Sequence, residues 1–146
     1  SCFLKENYSI KEGMPPEINL LNEKNNGECL LKLINKNLIL SSHDISSGGL
    51  IVALSEMALK SDYGAKIHKP KKLTNLLKYF FGEDQARYVI EVDATNYPSV
   101  EKILKEDNIF FENIGFTQKE YLEIEGELKI SNKDLFKINN EWYNNY

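Results

Sequence analysis

Apolar and polar residues alternate along this chain in two periods, and the change of period marks its elements. From Glu17 to about Asn35 the spacing is helical: Leu20, Leu21, Leu30, Leu31 and Ile34 fall near one face, and Gly27 is a weak spot. Leu38 to Ser42 is short, apolar and bounded by turn residues, which predicts a buried strand. A helix follows from Gly49 to about Lys60, with Gly64 as its left-handed C′ residue. Ala65 to His68 reads as a short strand, Leu73 to Phe80 as a helix, and Tyr88 to Val92 as a strand. Pro98, near a first turn, opens a helix that runs to Lys105. Phe110 to Phe116 reads as a strand. In Tyr121 to Ile130, Leu122 and Ile124 alternate with glutamates, Gly126 turns the chain, and Leu128 and Ile130 resume, which predicts a hairpin. Asp134 to Trp142 is a terminal helix, with Trp142 as a core anchor. Residues 1–16 read as a strand remnant and a loop punctuated by Gly13, Pro15 and Pro16. Strands and helices are mixed, so the expected fold is α+β, a mixed sheet with helices packed on it.

Composition narrows the picture. The chain has 146 residues, which is one domain and enough to bury a core. Its net charge of −4 offers no basic footprint for nucleic acid. No apolar run approaches the ~20 residues that span a bilayer, so no membrane partner is expected. Cys2 and Cys29 have no metal-like spacing and suit a reducing cytoplasm as free thiols. The chain starts at Ser1 without a methionine, as a piece of a longer protein, a chain with its tag removed or one with its methionine excised would. Of 18 basic residues only Arg87 is an arginine, whose planar fork lysine cannot copy.

Two stretches concentrate chemistry. In "SSHDISSGGL", residues 41–50, a polar turn separates the expected strand from the expected helix. Open α/β sheets place ligands at such strand ends. The helix start leaves N–H groups unpaired, Gly48 and Gly49 carry no Cβ, and Ser46 or Ser47 can cap the helix or meet an anion. A phosphate is welcome there, and Asp44 can then hold Mg²⁺. The same residues also describe a plain capped helix start, with His43 as a satisfied half-buried imidazole. In "FGEDQARYVIEV", residues 81–92, Glu83, Asp84, Gln85 and Arg87 crowd one loop. Gln85 and Arg87 can contact a polar ligand or a facing domain; alternatively Arg87 pairs with Glu83 or Asp84 and only fixes the loop. The glutamates of the hairpin read as a solvated face, and His68 as a surface residue.

"HDISSGGLIVALSEMA" resembles the HDxSDGGLxxAxxEMA signature of the phosphoribosylformylglycinamidine (FGAM) synthase family, and "FGEDQARYVIEV" its FGExQxRxxxxV segment. "GMPPEINL" is similar to its G-x-PP-x-VDL stretch, so the resemblance runs from about residue 11 to the end. It implies a C-terminal domain of the AIR-synthase type, a three-layer α/β/α unit, within an ATP-dependent carbon–nitrogen ligase of purine biosynthesis. Such enzymes convert FGAR, ATP and glutamine-derived ammonia to FGAM, ADP and phosphate. ATP activates the amide oxygen of FGAR, and ammonia displaces phosphate. The implied cofactors are Mg²⁺ and ATP, and the implied partners are N-terminal domains of the same synthetase and a glutaminase. In the family's long form the positions matching Asp44 and Ser46 lie at a Mg²⁺–nucleotide site, so with the reading of the turn itself His43, Ser46, Ser47, Gly48 and Gly49 are expected at a nucleotide or phosphate site, with Asp44 toward Mg²⁺ and no catalytic residue in this stretch. Serine stands at position 47 where the family has aspartate, which removes one carboxylate. The isolated chain is expected to be inactive. The rival expectations are a non-catalytic packing domain and the C domain of another ATP-dependent enzyme of the superfamily.

Overall fold

The computed structural model describes residues 1–70 and 75–144. The Leu73 end of the expected helix and the side chain of Trp142 lie outside what it describes. Six helices and six strands occur in the described residues: α1 (Cys2–Tyr8), α2 (Leu20–Asn35), β1 (Ser41–Asp44), α3 (Gly49–Leu59), β2 (Tyr63–Ile67), α4 (Leu76–Phe81), β3 (Tyr88–Glu91), α5 (Tyr97–Glu106), β4 (Gly115–Lys119), β5 (Tyr121–Ile124), β6 (Leu128–Ser131) and α6 (Asn132–Asn144).

The β1–β3 ribbon organises the fold. The strands pair antiparallel, with Ser41 opposite Glu91 and His43 opposite Val89. Side chains alternate across a strand, and both faces of β3 are apolar. Val89 packs into a core with Ile45, Leu50, Ile51 and Leu54 at and after the start of α3. Ile90 packs against the second core, Cys29 and Leu33 of α2 with Val100 and Leu104 of α5. The ribbon therefore lies between α2 and α5 on one side and α3 on the other, an α/β/α sandwich. Helix α3 is apolar nearly all round, as a central helix must be. Its far side covers a mixed sheet of order β4-β2-β5-β6, in which only β2 and β5 run parallel.

That sheet is covered on one face. Ile67, Leu122 and Ile124 point into the α3 core. The other face carries Lys66 paired with Glu123 (3.5 Å), Glu123 with Lys129 (3.6 Å), and His68 with Glu125 (3.3 Å). Lys69 also bonds Glu127. The hairpin glutamates are thus partners in an ion-pair ladder rather than simply solvated.

Several expectations are corrected. Residues 2–8 are a helix, not a strand remnant, and Phe3 stacks on Phe81 at 4.1 Å. The strand expected over 38–42 forms at 41–44 instead, because Leu38 and Ile39 are drawn into the α2–α5 core. Gly64 does not end α3; it lies in β2, where a Cβ would come within 2.0 Å of the Tyr121 carbonyl oxygen. The strand expected at 110–116 starts at Gly115, after a turn in which Asn113 accepts the Gly115 N–H at 3.1 Å. The β5–β6 hairpin, with Gly126 at φ 73°, and β3 are as expected.

Helix α2 reverses its expected face. Asn19 caps it by accepting the Asn22 N–H at 3.0 Å, but its buried residues are Cys29 and Leu33. Leu20 is 77% exposed, Leu21 66% and Leu31 59%, and Ile34 also faces outward. The helix has two apolar faces, and α5 covers only one of them. Among the described residues no helix is long and apolar enough to cross a membrane.

Candidate functional site

The fold joins the two chemistry-bearing stretches. Asp44 stands opposite Tyr88 in the ribbon, and the Ile45 N–H donates to the Arg87 carbonyl at 2.9 Å. Ile45 itself is buried, which pins the turn to the core. Beyond it the chain enters α3 through Gly48 and Gly49, at φ 85° and 77°. These are left-handed values that glycine adopts without a Cβ penalty. The space is closed as well: a Cβ on Gly49 would lie 2.7 Å from the Phe80 carbonyl oxygen, and one on Gly48 would lie 2.4 Å from Val52 Cγ2. Both glycines are buried. Gly49 lets the end of α4 approach the start of α3, and Gly48 leaves room for the Val52 side chain one turn further on.

Neither serine caps the helix. The N-cap is Gly48, without a side-chain cap from its own segment. Its N–H donates instead to Glu83 Oε1 at 3.0 Å, and the same oxygen accepts the Cys2 N–H at 2.8 Å. The chain brings its own carboxylate to the start of α3, where a negative charge is favoured. Burial works against the charged form of Glu83, but the Cys2 and Gly48 donors outweigh it and hold the carboxyl below its ordinary value. Glu83 is the site residue that sequence reasoning missed. Its available signal was a carboxylate in the second stretch matched by unpaired N–H groups in the first.

The expected site residues separate into two groups. Asp44, with a side chain 64% exposed, and Ser46 and Ser47 face outward. Among the described residues neither serine hydroxyl is hydrogen-bonded. His43 turns inward instead: Nε2 lies 3.0 Å from Glu56 Oε2 on α3, and Nδ1 lies 2.6 Å from the Asp44 carbonyl oxygen. In the second stretch Gln85 is exposed. Arg87 Nη1 lies 3.4 Å from the Gly82 carbonyl and 3.6 Å from Asp84 Oδ2, so its contacts fix the loop. Ala86, at φ 61°, is held by its carbonyl, which accepts from Asn26 of α2 at 2.8 Å.

Among the described residues no group of three or more histidine, cysteine, aspartate or glutamate side chains is placed to hold a metal. Mg²⁺ commonly takes one or two carboxylates and completes its shell with substrate phosphates and water. Asp44 fits as one such arm and no more. The outward surface is therefore one carboxylate and two free hydroxyls at a strand-to-helix turn, suited to a polyhydroxyl or phosphorylated ligand.

Comparison with known proteins shows the family and the fold. The family described as "AIR synthase related protein, C-terminal domain" matches residues 1–125. A phosphoribosylformylglycinamidine synthase subunit PurL from Pelagibacter ubique is 46% identical over 146 residues, and one from Rhodopseudomonas palustris is 36% identical. Each alignment covers 100% of this chain and 20% of the relative, so the chain spans about a fifth of these proteins. Among solved structures, phosphoribosylformylglycinamidine synthase II from Thermotoga maritima aligns with a TM-score of 0.71 over 83% of this chain and 22% of its own. T. maritima PurL complexed with FGAR aligns with a TM-score of 0.66 over 78% of this chain and 21% of its own. At 17% and 18% identity these two show the fold. This chain belongs to the AIR synthase related protein family, as one of its C-terminal domains.

Proposed function

We propose that this chain is the C-terminal domain of a phosphoribosylformylglycinamidine synthase and contributes the Asp44–Ser47 turn to a composite nucleotide site. The complete enzyme is an ATP-dependent carbon–nitrogen ligase that makes FGAM from FGAR and glutamine-derived ammonia. The observation that carries the reading is the joining of the two stretches. The fold sets Asp44, Ser46 and Ser47 outward on one turn, and the turn is locked from behind by Glu83 and Arg87 of the second stretch. Relatives named as the PurL subunit match the whole chain, and PurL of T. maritima has been solved with FGAR and with ATP.

In this role the Ser46 and Ser47 hydroxyls donate to phosphate oxygens, and Asp44 is the one acidic arm of the turn. Mg²⁺ arriving with the nucleotide supplies charge that offsets the phosphates. Gly48 and Gly49 act on the ligand indirectly, because Glu83 occupies the Gly48 N–H. Serine at position 47 fits a phosphate-side role better than a cation-side one. Gln85 lies on the exposed loop as a contact for ligand or facing domain. The further partners are the N-terminal domains of the same synthetase and a glutaminase; a PurLQS assembly of T. maritima shares this fold at a TM-score of 0.69 and 17% identity. The two free thiols suit a cytoplasmic setting.

Mg-ATP and FGAR titrations of the protein test the site. Ligand-dependent thermal stabilisation that Asp44→Ala abolishes supports it. The 146 residues alone should form no FGAM from FGAR, ATP and ammonia, and turnover by them would overturn the idea of a composite site. A second reading, a domain that only packs against its neighbours, is favoured by the outward Leu20, Leu21, Leu31 and Ile34. Silence in both titrations selects it.

A further inference from the structure

Behind the outward turn stands a pair of side chains that no ligand needs to touch. His43 lies on the face of β1 turned toward α3, because its register partner Val89 packs into the α3 core. Glu56 rises from α3 to meet it, with Oε2 at 3.0 Å from Nε2. The opposite ring nitrogen, Nδ1, is 2.6 Å from the Asp44 carbonyl oxygen and 3.6 Å from Asp44 Oδ1. Both nitrogens are therefore directed at oxygen atoms of the chain itself, and both contacts are hydrogen bonds when each nitrogen carries a proton. Nothing on the ring is left for a phosphate, so His43 does not serve as a direct ligand contact.

The consequence lies in what the ring spans. It connects α3 to the peptide carbonyl between Asp44 and Ile45, where the outward carboxylate is carried. Ile45 is anchored on the other side by the core and by the Arg87 carbonyl. The Asp44 peptide is thus held from two directions. A carboxylate that accepts one N–H of an imidazole sets which way the ring points and what the other nitrogen can do.

We infer that Glu56 is a positioning residue: through His43 it fixes the Asp44 peptide, and with it the place where Asp44, Ser46 and Ser47 meet a phosphorylated ligand. This rests on the nucleotide-facing reading of the turn. It assigns Glu56 and His43 a role in affinity without contact. The pair is partly exposed, at 28% for the histidine side chain and 52% for the glutamate. Pairs so open to solvent add little to folding stability, so an effect on the ligand can be separated from one on the fold.

The experiment compares Asp44→Ala, Glu56→Ala and Glu56→Gln in the full polypeptide that carries these residues. It measures Kd for Mg-ATP, then KM and kcat for FGAM formation, with a melting curve for each variant. Losing a partner that orients a metal-ligating histidine costs about 10-fold or more, and a loss at the lower end, about 10-fold, is expected for this pair. Glu56→Ala should raise the nucleotide Kd and KM by about that factor, with kcat changed far less and the melting temperature nearly unmoved. Glu56→Gln keeps an oxygen acceptor for Nε2–H and should recover most of the affinity. Unchanged nucleotide affinity in Glu56→Ala, beside a clear loss in Asp44→Ala, overturns the positioning role alone. A loss in Glu56→Ala that follows a fall in melting temperature and is not recovered by glutamine makes Glu56 structural and also overturns it. If Asp44→Ala leaves affinity unchanged, the nucleotide-facing reading fails and the positioning role fails with it.

Discussion

Replacing Gly49 by alanine tests the junction on which the whole site is built. At φ 77° an L-residue meets its own backbone, which costs ~1–2 kcal/mol. The added methyl would also stand 2.7 Å from the Phe80 carbonyl oxygen, 2.7 Å from the Phe81 carbonyl carbon and 2.8 Å from Phe81 Cα. These are backbone atoms at the end of α4, so no side chain can swing aside. Overpacking of this kind costs a further ~1–3 kcal/mol. The lost flexibility of the unfolded chain returns only ~0.4–1 kcal/mol. The net expectation is a destabilisation of ~1–4.5 kcal/mol, centred near ~3 kcal/mol. Gly126 supplies the control, since it has φ 73° but nothing within 4 Å of an added Cβ. Gly126→Ala carries the backbone penalty alone, ~1 kcal/mol. At ~2–4 °C per kcal/mol, melting curves should separate the two variants by several degrees, and urea titrations should rank them alike. Equal losses in the two variants would refute the close approach of α4 to α3. A second readout follows from the connectivity: pushing Phe80 and Phe81 away displaces Glu83 from the Gly48 N–H, so Gly49→Ala should also weaken ligand binding at the turn.

Other contacts have their own readouts. The Glu83 carboxyl titrates lower in the folded chain than in the unfolded one, because the Cys2 and Gly48 donors outweigh burial. The folded state therefore binds fewer protons, and stability is full above the ordinary carboxylate range and declines as pH falls through and below it. Glu83→Gln should flatten that part of an acid-unfolding profile, and an unchanged profile counts against the contact. Burial, reinforced by the bond from its hydroxyl to Glu112 Oε2 at 3.0 Å, pushes the Tyr79 phenol up to about 12. The stability this adds is complete below the ordinary tyrosine range and is lost as pH rises toward about 12; in an ultraviolet titration Tyr79→Phe should remove one late-ionising tyrosine. Leu31→Glu alters an outward position on α2, so the chain's own stability should move by no more than ~0.5 kcal/mol. In the complete synthetase the same change should impair domain packing, and a fully active, normally stable enzyme would exclude this face as an interdomain surface.

The elements legible in the sequence are those whose cause is local. The β5–β6 hairpin follows from alternation around Gly126, and α3 follows from an apolar run opened by Gly48 and Gly49. Strand β3 follows from a β-branched and aromatic run, "YVIEV". The two stretches that build the site were also visible, because they crowd polar and charged residues at element boundaries. Their relation to each other was not. Glu83 reaches Gly48 across 35 residues, and no spacing rule couples positions so far apart. For the same reason Ser46 and Ser47 read equally as caps or as anion contacts: a local rule offers a hydroxyl to a helix start, and only the tertiary structure supplies a carboxylate acceptor from another loop. The sequence leaves His43 open between a ligand contact and a satisfied half-buried imidazole, and only the tertiary structure brings Glu56 of α3 to its Nε2. Helix α2 shows the same limit in its packing. Its periodicity announces apolar faces, but which face is buried depends on where α5 lies, and that is settled by the packing of Val100 and Leu104 against Cys29 and Leu33. Sequence by itself determined most of the element types and the position of the polar turn, since backbone hydrogen bonding and side-chain periodicity act over a few residues. The tertiary structure decided which polar groups are spent inside the chain and which remain for a ligand, because that depends on partners brought together only when the layers close.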